Sequence, residues 1–215
     1  MALQNIYDAP MTIFLHENDI PNDLDLGSVV AVDSETMGLK LHRDRLCVVQ
    51  LSDGNGDAHL VRFEQDTYDA PNLKKLLGDP SIQKIFHFAR FDVAAFQVYL
   101  GIETQNVYCT KIVSKMVRTY TDRHGLKELC KVLIGVDISK AQQCSDWGST
   151  DLTEDQQKYA ASDVLYLHLI KDKLDEMLER EGRKELAQSC FDFINTRAKL
   201  DILGWTDPDI FSHNS

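Results

Sequence analysis

The chain has 215 residues, 34 acidic against 23 basic, with a formal net charge of −11 and 43% hydrophobic residues. This is ordinary globular composition, enough for one sizeable core, and it excludes the broad basic surface of a protein that tracks long nucleic acid. No apolar run nears the roughly 20 residues of a membrane span. Met1 to Pro10 lacks the plan of a signal peptide, so the expected location is cytoplasmic. Five cysteines without a CxxC pair argue against a disulfide framework or a zinc cluster and read as reduced core thiols.

Met11 to His16 reads as a short first strand, and Pro21-Asn22-Asp23 breaks the chain after it. Val29-Val30-Ala31-Val32 then runs into Asp33-Ser34-Glu35, followed by a turn through Met37, Gly38 and Leu39. Small and β-branched residues in an unbroken run describe a strand buried on both faces. Leu46 to Leu51 is another such strand. Asp53-Gly54-Asn55-Gly56-Asp57 is a strong turn, and Ala58 to Arg62 continues as a hairpin partner. Pro71 opens a short helix, Asn72 to Leu77, stopped by Gly78-Asp79-Pro80. Ile82 to Phe88 is the next strand and Arg90 to Leu100 the helix after it.

From Thr110 onward the pattern is helical. Thr110 to Thr119 and Gly125 to Leu133 are two helices, and Thr153-Glu154-Asp155-Gln156 is a capping-box start. The helix beginning there is expected to run to about Glu181, with Ala160, Val164, Leu167, Leu174 and Leu178 as its apolar stripe. Glu185 to Leu203 is the last helix. A β-meander, one more strand and packed helices make a single α/β domain over 1–215, built on one mixed sheet. Basic character is local: eight basic residues face four acidic ones between Lys84 and Lys131.

Residues i and i+2 of a strand share a face, so Asp33 and Glu35 stand side by side. Taken alone, that pair also describes a solvated strand end. Asp92 lies among aromatic residues where a strand passes into a helix, and Tyr159 and Asp163 share a helix face at i, i+4. Four carboxylates without a His or Cys cluster suit hard, oxygen-seeking cations, Mg²⁺ or Mn²⁺. Two such ions about 4 Å apart form a clamp for in-line displacement at phosphorus, with the neutral phenol free to orient the attacking water.

This set resembles the DEDD 3′–5′ exonucleases. Asp33 and Glu35 match the first motif, Asp92 the second, Tyr159 and Asp163 the third. The tyrosine four residues before the last Asp marks the DEDDy branch, which includes ribonuclease D; Lys158 stands where the other branch has His. Arg43 to Leu51, Phe86 to Asp92, Cys109 to Ile112 and Thr119 to Leu126 are similar to nanoRNase C, the group of short ribonuclease D relatives. Too little chain follows Asp163 for the helical nucleic-acid-binding domains that ribonuclease D carries downstream.

The resemblance implies an RNase H-like fold, 3′–5′ hydrolysis of very short RNAs, dinucleotides especially, and a ring-like homo-octamer. Ribonuclease D-like trimming of longer RNA, DNA digestion, and a silent binding module are the alternatives. It also implies Asp33, Glu35, Asp92 and Asp163 as ligands of two cations and Tyr159 at the water. Leu39 is either a wedge between two bases or an ordinary core or turn leucine, and Met37 packs on a base or in the core. Gly38 completes their turn. His87, Arg90, Lys111 and Arg118 are candidates for phosphate or ribose, or else exposed helix cations. Trp147 stacks on a base or is buried.

Overall fold

The computed structural model describes residues 11–139, 141–142 and 145–213. Met1 to Pro10 and Cys144 lie outside them. Six strands form one sheet in the order β1-β4-β3-β2-β5-β6: β1 (Thr12–Glu17), β2 (Val29–Thr36), β3 (Leu46–Ser52), β4 (Asp57–Arg62), β5 (Gln83–Phe86) and β6 (Val107–Cys109). β2, β3 and β4 pair antiparallel, whereas β1–β4, β2–β5 and β5–β6 are parallel. The sheet is mixed, as expected. The meander, however, is confined to β2–β4, because β1 returns to the edge beside β4 through a parallel, non-local pairing.

All seven residues of β3 are buried. That fits a mainly apolar run, interrupted by Gln50, in an interior strand between two neighbours. The turn after it is closed by glycines at positive φ, Gly54 and Gly56, which Cβ-bearing residues disfavour.

Helices cover the sheet: α1 (Pro71–Gly78), α2 (Ala89–Ala95), α3 (Thr110–Val117), α4 (Leu126–Leu129), α5 (Glu154–Leu165), α6 (Leu167–Glu181), α7 (Lys184–Asp192) and α8 (Ile194–Ile202). α2 and α4 each run into a wide π turn, Phe96–Leu100 and Cys130–Ile134, ended by left-handed Gly101 and Gly135. The expected helix from 154 to 181 is two, bent at Tyr166 (φ −102°, ψ −3°). The last helix is likewise divided, at Phe193. The stripe from Ala160 to Leu178 is buried along both segments. The capping box at Thr153 is formed: Gln156 N donates to Thr153 Oγ1 at 3.2 Å and Thr153 N to Gln156 Oε1 at 2.9 Å. Cys47, Cys109 and Cys130 are buried free thiols, and Cys190 is half-buried. Among the described residues no helix is long and apolar enough to cross a membrane.

Candidate active site

Three elements bring the acids together. β2 ends in an irregular register between Glu35 and Thr36, a bulge of the kind that re-aims side chains. Asp92 sits in the first turn of α2 and is 3% exposed; its Oδ1 accepts from Ser34 Oγ at 2.6 Å. Asp163 and Tyr159 come from α5. Its start is tied down by Gln156, whose Nε2 donates to Asp146 O at 3.0 Å and Ser145 Oγ at 3.2 Å. Carboxylate oxygens of Asp33, Glu35 and Asp163 lie within 4.8 Å of one another.

These acids and Tyr159 floor a cleft of about 480 Å³, walled by Met37, Leu39, Phe88 and Trp147. An adjoining pocket of about 230 Å³ shares Asp33, His87, Tyr159 and Asp163 and adds Lys111 and Lys127. A larger concavity, about 700 Å³, begins at Leu39 and Phe88 but faces away from the acids, toward Asp201 and Thr206. The chemistry belongs to the smaller, acid-floored cleft.

The electrostatics are those of charge crowded into a recess. Burial first, then Asp92, Asp163 and Glu35, holds the Asp33 carboxyl well above the usual carboxylate range. Glu35 is pushed to about 9 by burial and by Asp163 and Asp92. Asp92 rises to about 7, burial again leading, with the Ser34 hydrogen bonds opposing it. The Tyr159 phenol is raised by burial and by Asp163, to which it is hydrogen-bonded, so it is neutral at ordinary pH. Without a cation these carboxylates cannot all ionise together. Oxygen-only donors this close fit a hard divalent cation.

The structure places the other candidates unevenly. Met37, Gly38, Leu39 and His87 line the cleft. Leu39 is 83% exposed, which removes the core reading for it. A Cβ on Gly38 would run into the Asp44 carboxylate, so the turn closes only with glycine. Met37 is 56% exposed and lies across from Gly148. His87 Nδ1 is 2.9 Å from Thr110 Oγ1, whose own proton goes to Phe86 O at 3.0 Å; Nδ1 is therefore the donor. Lys111 Nζ stands 4.3 Å over the Phe88 ring.

Two cations depart from expectation. Arg118 is 2% exposed and bonds Ser114 Oγ and Arg123 O inside the fold. It lines neither the cleft nor its neighbour. Arg90 points away from the acids and forks onto Asp201 at 2.5 and 2.6 Å. Trp147 is buried, 3% exposed, with its ring 6.0 Å from that of Tyr159.

Phe88 was not singled out by the sequence. It is 44% exposed and caps α2 in the left-handed region, φ 80° and ψ 43°. The aromatic run Phe86-His87-Phe88 was visible; the positive φ that turns the last ring into the cleft was not.

A carboxylate cluster drawn from β2 and α5, with Asp92 of α2 and the half-buried Tyr159 phenol beside it, is the arrangement of a nuclease that uses divalent cations. Residues 15–179 match the family described as 3′-5′ exonuclease, and the chain belongs to that family. Its fold is RNase H-like, and it is similar to the structure of Brucella melitensis NrnC bound to pGG, at 54% identity and a TM-score of 0.92 over 95% of this chain and 100% of that one. The structure of Brucella melitensis NrnC with bound Mg²⁺ gives 54% and 0.90 over the same shares. Ribonuclease D of Gluconacetobacter diazotrophicus is 35% identical over 160 residues, 74% of this chain and 40% of that protein. The chain thus spans about two fifths of the length of the curated relatives it matches. The family is divalent-metal dependent.

Metal dependence and the raised pKa values together set the sign of a linkage. A carboxyl with a raised pKa keeps in the fold a proton that the unfolded chain has released. Its contribution is complete below the ordinary carboxylate range and is lost as pH climbs through about 7 for Asp92 and about 9 for Glu35. A divalent cation held by these carboxylates would compete with those protons, so its stabilising effect would grow in the same direction. Melting with and without Mg²⁺ at about pH 5.5 and about pH 8.5 is expected to show the larger gain at the higher pH. An equal gain at both would mean that Mg²⁺ stabilises from another site.

Proposed function

We propose that this chain hydrolyses very short RNAs, dinucleotides especially, from the 3′ end to nucleoside 5′-monophosphates. The observation that carries this reading is the acid-floored cleft of about 480 Å³, with the exposed Leu39 in its wall. Asp33, Glu35, Asp92 and Asp163 would hold two divalent cations, Mg²⁺ or Mn²⁺. Bound there, such ions lower the pKa of water and stabilise the attacking and leaving oxygens of an in-line displacement.

The chain's own residues do the rest. The neutral Tyr159 phenol orients the attacking water. The water's oxygen forms the new bond to phosphorus, the P–O3′ bond breaks, and the departing O3′ takes up a proton. Met37 and Leu39 offer apolar surface to the bases, with Leu39 set between the two. His87 and Lys111 lie on the side where phosphate and ribose are bound. Gly38 keeps the turn tight enough for Leu39 to stand out.

Local rather than global basic charge suits a substrate with few phosphates, and a relative 54% identical is described with bound pGG. The single exonuclease domain and a cytoplasmic location belong to the same reading. So does a ring-like homo-octamer: the outer edge strand β1 exposes Phe14 and Leu15 at 40–41%, with Met11 exposed just before it, the kind of edge that soluble proteins cover.

Labelled RNAs of two, five and twenty nucleotides, compared under matched conditions with Mg²⁺ or Mn²⁺, test the proposal. The dinucleotide is expected to have the highest kcat/KM, by about tenfold or more, or ~1.4 kcal/mol in the barrier. Faster turnover of the longer RNAs would replace this reading with ribonuclease D-like trimming. Cleavage of DNA strands in preference would replace it with a DNA exonuclease.

A further inference from the structure

A polar side chain beneath the acid cluster has no part in the roles above. Gln50 lies in the middle of β3 and is fully buried. Neither its Nε2 nor its Oε1 has a hydrogen-bond partner among the described residues. A buried amide that makes no hydrogen bond has given up its hydration for nothing, and folded proteins rarely leave one so. The strand is not careless elsewhere, since Ser52 Oγ donates to Asp57 O at 2.7 Å.

The register tells what the amide faces. Gln50 is opposite Asp33 across β2–β3 and opposite Leu60 across β3–β4. Residues directly opposed in an antiparallel pair project from the same face, with Cβ atoms about 4.5–5.5 Å apart. Gln50 therefore has Leu60, buried and apolar, on one side and the Asp33 carboxylate on the other. α5, which carries Tyr159 and Asp163, packs across β2, β3 and β4. The neighbouring acid already has such a partner: the Ser34 hydroxyl orients Asp92. Gln50 is placed to do the same for Asp33.

We propose that Gln50 is a positioning residue for Asp33. Once Asp33 is ionised against a divalent cation, the Gln50 side-chain N–H donates to its carboxylate and fixes the plane in which that carboxylate meets the ion. The inference rests on the assignment of the acids to cations made above. A ligand oriented in advance loses less freedom on binding, and removing such an outer partner typically weakens metal affinity 10–100-fold.

Gln50→Leu and Gln50→Met test this in the full chain, beside the wild type and Asp33→Asn. Two quantities are measured: Mn²⁺ affinity by calorimetry and melting temperature in metal-free buffer. Both Gln50 variants are expected to melt at or above the wild type, because an apolar chain of similar volume replaces an unpaired amide. Both are expected to bind Mn²⁺ about 10–100-fold more weakly. Unchanged Mn²⁺ affinity in the two variants overturns the proposal. Melting of both well below the wild type also overturns it, because Gln50 would then be a structural residue. If the wild type binds no Mn²⁺, or Asp33→Asn binds it equally well, the metal assignment fails first and this proposal with it.

Discussion

Asp33→Asn is expected to lower RNA hydrolysis by about 10³-fold or more and, in metal-free buffer, to raise the melting temperature. The two effects have one cause. Asn keeps the shape of Asp and leaves β2 undisturbed, but it removes an ionisable group that the fold must either hold protonated or crowd against Glu35, Asp92 and Asp163. Relief of ~1 kcal/mol corresponds to about 2–4 °C in a chain of this size. Losing one carboxylate ligand costs at least as much catalysis as losing one oxyanion donor, which is about 10²–10³-fold. The check is an RNA hydrolysis assay with Mg²⁺ together with thermal melting in chelator. Activity within about tenfold of the wild type would remove Asp33 from the metal site.

Asp201→Ala, outside the acid cluster, is expected to be strongly destabilising. Asp201 takes the fork of Arg90 at 2.5 and 2.6 Å and forms an ion pair with Arg197 Nη2 at 3.0 Å. Its side chain is 7% exposed and that of Arg197 10%. Arg197 Nε and Nη1 already lack partners among the described residues. Without Asp201, Arg197 keeps only Trp205 O and the more exposed Asp209. Breaking a buried pair by removing one partner costs about 3–5 kcal/mol. Arg90 is 30% exposed, so the lower end applies, roughly 3 kcal/mol or about 6–12 °C in melting temperature. Asp209→Ala, at the exposed end of the network, should cost less than about 1 kcal/mol. Equal losses for the two variants, measured by denaturant or thermal melting, would show that the network is not centred on Asp201. The pair also joins α8 to α2, which carries Asp92, so activity should fall together with stability.

The parts of this molecule legible in its sequence are those written in local chemistry. β2 and β3 announce themselves by the apolar runs Val29 to Val32 and Leu46 to Val49, and α5 by its capping box. The site is legible because its residues are ones a core does not otherwise take: acids beside Phe91 and Val93, and an acid-phenol pair beside an apolar stripe. What was missed depends on partners distant in sequence. Arg118 looks like an exposed helix cation until Ser114 and Arg123 fold around it. Arg90 finds its carboxylate 111 residues away. β6 is three residues long, too short for any alternation to show. The bend at Tyr166 has neither Gly nor Pro to mark it, and the parallel pairing of β1 with β4 leaves no trace in either strand.

Phe88 gives the structure a bias of its own. A left-handed backbone costs a Cβ-bearing residue about 1–2 kcal/mol, and Gly or Asn holds it with less strain. Stability alone would therefore replace this phenylalanine, whose ring is largely in the open. A directed evolution of the chain for heat resistance, blind to activity, should find position 88 early. The variants it favours would be sturdier proteins with one wall of the cleft missing.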